Sequence, residues 1–259
     1  MNILAAIPQS CMNFKFYKEV AQQKVWKSIL YLFLLLFIVA IILSINYGVK
    51  VQQVINEGKE KAKQYLPEIR IINGQAQVDV QQPYTVYKDE TFIFMIDTTG
   101  QYTAIDTAYK AGALLTQTKL IFKESEFQSR QYELSQVPNL VINKQTIDQW
   151  AKIAVVVLWI ALPLGLYLYL IFVKWFQIVM FSLFALSLNN TMKTNLKYAQ
   201  LLSIGIYALT APIILDLIYA LVGRPNSVFI WLYIGVYAIY IFMAIKSQKP
   251  QNSVPHLPI

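Results

Sequence analysis

Hydrophobic and polar positions fall into three regimes along this chain. The first is an apolar run from Ile29 to Ile45, interrupted only by Ser44 and edged by Ser28 and Asn46. With those edges it approaches the roughly 20 residues that a helix needs to cross about 30 Å of hydrocarbon. Beyond it Val51, Val54, Ile55, Gly58, Ala62 and Tyr65 recur at helical spacing, and Pro67 supplies a stop. The pattern predicts one helix from Lys24 to Leu66, a rod of roughly 65 Å at 1.5 Å per residue.

From Glu68 the spacing becomes strand-like. Ile69 to Ile72, then Asn73-Gly74, then Gln75 to Val80 reads as a hairpin carrying the strongest two-residue turn signal. Thr85–Tyr87, Phe92–Ile96, Ala113–Thr116, Leu120–Phe122 and Gln131–Leu134 are further strand candidates, and Thr103 to Lys110 reads as a short helix ending at Gly112. These elements predict a small β-rich or α+β domain, large enough to form a core.

The third regime returns to long apolar runs. Ile153 to Val173 is long enough to span, with Trp150 and Lys152 at one end and Lys174 and Trp175 at the other. Pro163 and Gly165 predict a kink in its middle, and Thr146 with Gln149 resembles a capping box at its start. Two more spans cover 201–222 and 228–245, separated by the turn Gly223-Arg224-Pro225-Asn226-Ser227. Segment 175–190, apolar from Trp175 to Leu188, gives only about 21 Å of helix over that run, and no Gly or Pro parts it from the span before. Four or five crossings follow, depending on whether it crosses.

The expected fold is thus a multi-pass α-helical membrane protein with a β-rich or α+β extracytoplasmic domain inserted between spans 1 and 2. Its parts are a cytoplasmic segment 1–27, a first span 28–47, an extracytoplasmic domain 48–149 that is helical to about 66, a bundle 150–246 (151–173, 175–190, 201–222, 228–245) and a tail 247–259.

Charge sharpens this partition. The chain is 56% hydrophobic and 14% charged, against about 25% charged in soluble domains. Between Val49 and Trp150 there are 11 Lys or Arg and 12 Asp or Glu; the rest of the chain has 11 and 2. The flanks therefore carry the surplus positive charge. Lys15, Lys18, Lys24 and Lys27 precede the first apolar run, and positive-inside logic puts the N-terminus in the cytoplasm. The run is too long and too far from the N-terminus for a signal-peptide h-region, and no small-residue cleavage site follows it. Cations at the ends of apolar runs serve a lipid bilayer as partner, and they exclude nucleic acid, which needs a basic face on a soluble surface. One cysteine, Cys11, and one histidine, His256, exclude an intrachain disulfide and a zinc site, and no motif implies another cofactor.

Topology and chemistry meet at Asp216, the only acid of the flanks besides Glu19. It lies roughly 9 Å along the helix from its end, where an unpaired carboxylate is costly. In a five-span arrangement Lys174 lies on the same side and can pair with it, whereas in a four-span arrangement the two are expected at opposite faces. Five crossings are favoured on that ground. Four crossings would put the cations Lys193, Lys197, Lys246 and Lys249 all inside, but the cost of an unpaired Asp216 tips the expectation to five.

Two sites carry candidate chemistry. Phe94 to Ile96 runs into Asp97-Thr98-Thr99-Gly100, which resembles the way aspartic proteases present a carboxylate. An extra Thr intervenes, Asp106 lacks a following Gly, and nothing holds two carboxylates about 3 Å apart. A strand ending in a turn, with Asp and Thr bonded to backbone and Gly at positive φ, accounts for the same residues. Asp216 and Lys174 could form an ion or proton relay, or an ion pair that fixes helix register. Asn189-Asn190-Thr191 matches a glycosylation sequon only formally. Metalloprotease, nucleophile-elbow and phosphate-loop motifs are absent.

The order of elements resembles a bacterial membrane-protein family, domain-of-unknown-function family 1189. The resemblance rests on Phe14-Lys15-Phe16-Tyr17-Lys18-Glu19-Val20 leading through Trp26-Lys27-Ser28 to Tyr31, on Ile96 to Gly100 followed by Gly112-Ala113-Leu114-Leu115-Thr116, on Tyr207-Ala208-Leu209-Thr210-Ala211-Pro212, and on Tyr237 to Ile245. The late helices are distantly similar to Yip1-like membrane proteins. The resemblance implies no established activity. The expectation is a non-enzymatic protein of the bacterial plasma (inner) membrane whose outer domain binds a ligand, an envelope component or a membrane-protein partner. A transport component using Asp216 and Lys174 is the alternative, and an outward-facing hydrolase at Asp97 is the third.

Overall fold

The computed structural model describes residues 5–223 and 227–249. The chain folds as two units, one formed by Val49–Leu158 and the other by the chain on either side of it.

The second of these is helical. Its elements are α1 (Ala6–Met12), α2 (Phe16–Gln22), the first part of α3 (Val25–Tyr65), the latter part of α4 (Lys144–Met192), α5 (Tyr198–Ala208), α6 (Thr210–Val222) and α7 (Ser227–Lys246). Four stretches of the described residues are long and apolar enough to cross a membrane: Val25–Tyr65, Lys144–Met192, Tyr198–Val222 and Phe229–Lys246. The rod expected from Lys24 to Leu66 is present as α3, closed before Pro67. The separate fifth helix is not. Trp175 to Leu188 simply continues α4, which also runs unbroken through Pro163. A fifth crossing needs a reversal after Val173, and without a turn residue there the hydrogen-bond ladder has no reason to stop.

Pro212 acts where Pro163 does not. Its ring lacks the N–H that would bond the carbonyl of Ala208 and clashes with that carbonyl. Ala208 is where α5 ends, and α6 resumes after Leu209. The apolar run 201–222 is therefore two helices in series. Tyr31 closes over the break: its ring stacks on Tyr207 at 4.2 Å, and its hydroxyl meets Thr210 Oγ1 at 2.8 Å. The expected N-terminal segment 1–27, for which the pattern predicts no element, contributes two helices to this core. Phe16, Tyr17, Val20 and Ala21 of α2 are buried in the helical core, and Tyr17 Oη donates to the Ser10 carbonyl, joining α2 to α1. Of the expected turn between the last two spans, Gly223 ends α6 in the left-handed region at φ +74°. Arg224, Pro225 and Asn226 lie outside the described residues, as does His256.

The β-rich unit holds two sheets. One has the order β2 (Gln75–Val78), β1 (Ile69–Ile72), β8 (Leu140–Ile142). The other runs β3 (Tyr84–Lys88), β4 (Phe92–Ile96), β5 (Ala111–Leu115), β6 (Lys119–Ser125), β7 (Gln128–Glu133). The Asn73-Gly74 hairpin is present, both turn residues at positive φ as its tight turn requires. In the larger sheet only β4 and β5 are parallel. Both faces of that pair are covered: Ile93, Met95 and Leu114 belong to one cluster, Ile96 and Leu115 to another. A Cβ on Gly112 would meet the Ile93 carbonyl oxygen at 2.6 Å, so only glycine allows this close approach of the two backbones.

Parallel neighbours need a crossover, usually helical. Here it is not: Thr103 to Lys110, expected as a short helix, is irregular. The carbonyls of Asp106 and Tyr109 accept from Lys123 Nζ, and Asp106 Oδ1 accepts from the Ala108 N–H. Those bonds replace a helical ladder. The expected capping box at Thr146 is also corrected. Asn143 is the cap, its Oδ1 accepting the Thr146 N–H at 3.0 Å, while the Thr146 hydroxyl donates to the Val141 carbonyl.

Candidate functional site

In the helical unit the polar side chains converge on α4. Lys174 sits mid-helix and is 4% exposed. Its Nζ donates to Asp216 Oδ2 of α6 at 3.1 Å and to the Tyr233 hydroxyl of α7 at 3.1 Å. Tyr233 in turn donates to Gln177 Oε1 at 2.8 Å, one helical turn along from Lys174. The ammonium also lies 4.6 Å from the Tyr233 ring centroid, a favourable cation–π geometry. Burying an ammonium among apolar residues is costly unless it is paired and hydrogen-bonded, and this arrangement supplies both.

The expectation that four helices would keep Lys174 and Asp216 apart is thereby overturned. It took Lys174 as the end of its span. Instead α4 continues to Met192, and α5 and α6 return alongside it, so α6 reaches the level of Lys174. Asn189 organises that return. Its Oδ1 accepts from the Thr194 hydroxyl and the Leu196 N–H, and its Nδ2 donates to the Leu196 carbonyl. Lys193 and Asn195 take positive φ in the same turn.

The ion pair opens into a cavity of 570 Å³. Phe176, Met180, Phe229 and Ile230 form its apolar wall, and Lys174, Gln177, Asp216 and Tyr233 its polar end. The Asp216 side chain is 45% exposed, against 5% for that of Lys174.

Asp97 of the β-rich unit is different in kind. It is fully buried. Its Oδ1 accepts the Thr99 N–H at 3.0 Å and the Thr99 hydroxyl, and its Oδ2 accepts the Tyr102 N–H. Desolvation alone would raise its pKa, but these hydrogen bonds outweigh it and hold the carboxyl below the usual range. Thr98 is turned elsewhere, both its N–H and its hydroxyl bonding Gln82 Oε1. Gly100 closes the turn at φ +84°. Asp106 is engaged with Ala108 rather than with Asp97, so no carboxylate dyad forms between them. Among the described residues no group of three or more His, Cys, Asp or Glu could hold a metal ion.

The structure thus brings Lys174 and Asp216 together, places Asp97, Thr98 and Gly100 in one turn, and sets Pro212 at the break between α5 and α6. Sequence reasoning missed Tyr233 and Gln177. Gln177 carried a readable signal, a polar residue three positions after a lysine in an apolar run; Tyr233 was indistinguishable from its apolar neighbours.

Two cavities of the β-rich unit bear on binding. One, of 640 Å³, is lined by Tyr65, Tyr87 and Phe94 with Lys61. The other, of 350 Å³, is lined by Thr98, Thr99, Thr103, Thr116 and Thr118 beside the Asp97 turn. Lys63 of α3 pairs with Asp148 of α4 at 3.0 Å, joining the two helical stems of this unit. A hydrogen bond from Lys63 holds the Asp148 carboxyl below its ordinary range.

Residues 5–245 match the model of a family described as Protein of unknown function (DUF1189). No curated protein and no solved structure matches the chain.

Two outcomes follow from these geometries. Asp97→Asn should lower Tm at pH 7 by about 4 °C, the effect of roughly 1 kcal/mol in a domain of this size. A depressed folded pKa gives stability that is present above about pH 4 and lost as pH falls through the folded value. The gap between wild type and variant should therefore shrink when thermal melts are repeated below pH 4, and a gap independent of pH would contradict this account. For the ion pair, Asp216→Leu should cost on the order of 2 kcal/mol, below the range for a fully buried pair because Asp216 is half exposed. Adding Lys174→Met should restore most of that loss, since the stranded buried charge is then gone. Unfolding of the single and double variants in mild detergent measures the coupling, and additive losses would refute it.

Proposed function

The chain belongs to the DUF1189 family, and on that premise we propose that it is a non-enzymatic, multi-pass protein of the bacterial plasma membrane. Its β-rich unit lies outside the bilayer and binds a ligand, an envelope component or a protein partner, while its helices anchor the unit or relay that event. The observation that carries the reading is the division of one chain into a unit with four helices of spanning length and a unit holding nearly all the acidic residues. Four crossings put both termini on the same side. Lys15, Lys18, Lys24 and Lys27 then share the cytoplasmic face with Lys193, Lys197, Lys246 and Lys249, as the positive-inside rule asks. These cavities of the β-rich unit support binding. Asp97, whose oxygens are taken up by its own turn, supports a structural role over a hydrolytic one.

The buried Lys174–Asp216 pair favours a second reading, a component of a transport system, because intramembrane ionisable groups mark ion and substrate paths.

Reporter fusions test the first reading. A reporter active only in the cytoplasm should work after Ile259 and fail when inserted at Phe127, which is 97% exposed in the β6–β7 hairpin. The reverse pattern, or activity at both positions, would overturn it. For the second reading, solute uptake in cells carrying Asp216→Asn should fall to that of cells lacking the protein, and uptake unaffected by the substitution removes it.

A further inference from the structure

The ion pair of the helical unit is not a closed one. Lys174 Nζ has three protons, and two are spent on Asp216 Oδ2 and the Tyr233 hydroxyl. Asp216 Oδ1 and the carboxamide N–H groups of Gln177 have no protein partner among the described residues. These free valences border the cavity of 570 Å³. They comprise donors on one side and an anionic acceptor on the other, next to a wall of Phe176, Met180, Phe229 and Ile230.

We propose that this cavity binds a phospholipid whose headgroup carries both a phosphate and a primary amine, the amine on Asp216 and the phosphate on Lys174 and Gln177. The inference rests on the reading that the helical unit lies in the bilayer. Charge chooses the headgroup. A purely anionic head would accept from Lys174 and Gln177 but face the Asp216 carboxylate unpaired; a purely cationic head would face the Lys174 ammonium. A head with both charges completes an alternating set of four, and each contact is strengthened by the low dielectric of the site. The wall chooses the rest of the ligand. Phe176 is 63% and Ile230 60% exposed, so the cavity is flanked by apolar surface that an acyl chain covers and a free polar solute does not.

The test uses the purified full chain in mild detergent, with lipid retention read by native mass spectrometry. Phosphatidylethanolamine should be retained about tenfold more tightly than phosphatidylglycerol, the difference expected of one charge-assisted hydrogen bond gained and one repulsion avoided. Asp216→Asn should erase that preference. Ile234 also lines the cavity, and Ile234→Trp, which fills it and leaves the ion pair in place, should weaken phosphatidylethanolamine binding without lowering Tm. Free phosphoethanolamine should not displace the lipid at equal concentration. Equal retention of the two lipids, a preference that survives Asp216→Asn, full binding by Ile234→Trp, or displacement by the free headgroup would each overturn the proposal. Alkaline carbonate washing of membranes separates the two levels. A chain that washes off refutes the membrane reading, whereas one that stays embedded but shows no lipid preference refutes only this site.

Discussion

The ammonium of Lys174 is the constraint to which the helical unit answers. It lies in the middle of a long apolar helix, and so it needs an anion and acceptors brought to it by other elements. Asp216 comes from α6 and Tyr233 from α7, and Gln177 from α4 itself holds the Tyr233 hydroxyl. Three helices are thus set in register by one charge. A shift of a single residue along α6 would turn Asp216 about 100° around the helix and leave Lys174 buried beside hydrocarbon. Apolar ridges and grooves tolerate sliding far better than this. Tyr237 Oη, donating to the Gly205 carbonyl at 3.0 Å, fixes the same register one turn further along α7.

That register depends on the break at Pro212. A straight helix over 198–222 would not offer both of its halves to the same neighbours. Because Pro212 ends the ladder at Ala208, α5 packs on α2 and α7 while α6 carries Asp216 towards α4. Near the end of α5 the Gly205 carbonyl accepts from both the Leu209 N–H and the Tyr237 hydroxyl. Tyr31, Tyr207 and Thr210 close the break from the side of α3. The Tyr207 to Pro212 segment, which helped carry the family resemblance, is therefore the hinge around which the helices are arranged.

What could be read from the sequence, and what could not, divides along physical lines. The long apolar helices, the Asn73-Gly74 hairpin and most strands were legible because they depend on local periodicity and turn chemistry. Lys174 and Asp216 were legible as a pair because burial makes each costly alone. The route by which they meet was not. It depends on α4 running on past Lys174, and Trp175 to Leu188 is as apolar as a short separate span. Only the absence of a Gly or Pro there hinted at continuity. Thr103 to Lys110 failed for the opposite reason, its local propensity being overridden by Lys123, a residue on β6. The burial of α2 was invisible because its cations and aromatics also suit a membrane-edge segment.

Asp97 shows how a site-like string can arise from folding needs alone. Joining parallel β4 to β5 without a helix leaves a long irregular crossover whose backbone donors have no ladder to enter. A carboxylate at the end of β4 can accept from two of them and a threonine hydroxyl at once, and a glycine three residues on supplies the positive φ that turns the chain back. An aspartic protease loop and a carboxylate-organised crossover thus draw on the same residue types after an apolar strand. What separates them is the partner of the carboxylate: a second carboxylate in the one, the N–H groups of its own turn in the other. In this chain Thr99 and Tyr102 fill that place, and Asp106, the other acid of the crossover, is held by the next turn of the same loop. The acid is therefore committed to shaping the wall of the threonine-lined cavity beside it, and any binding there would use the threonine hydroxyls of that wall rather than Asp97 itself.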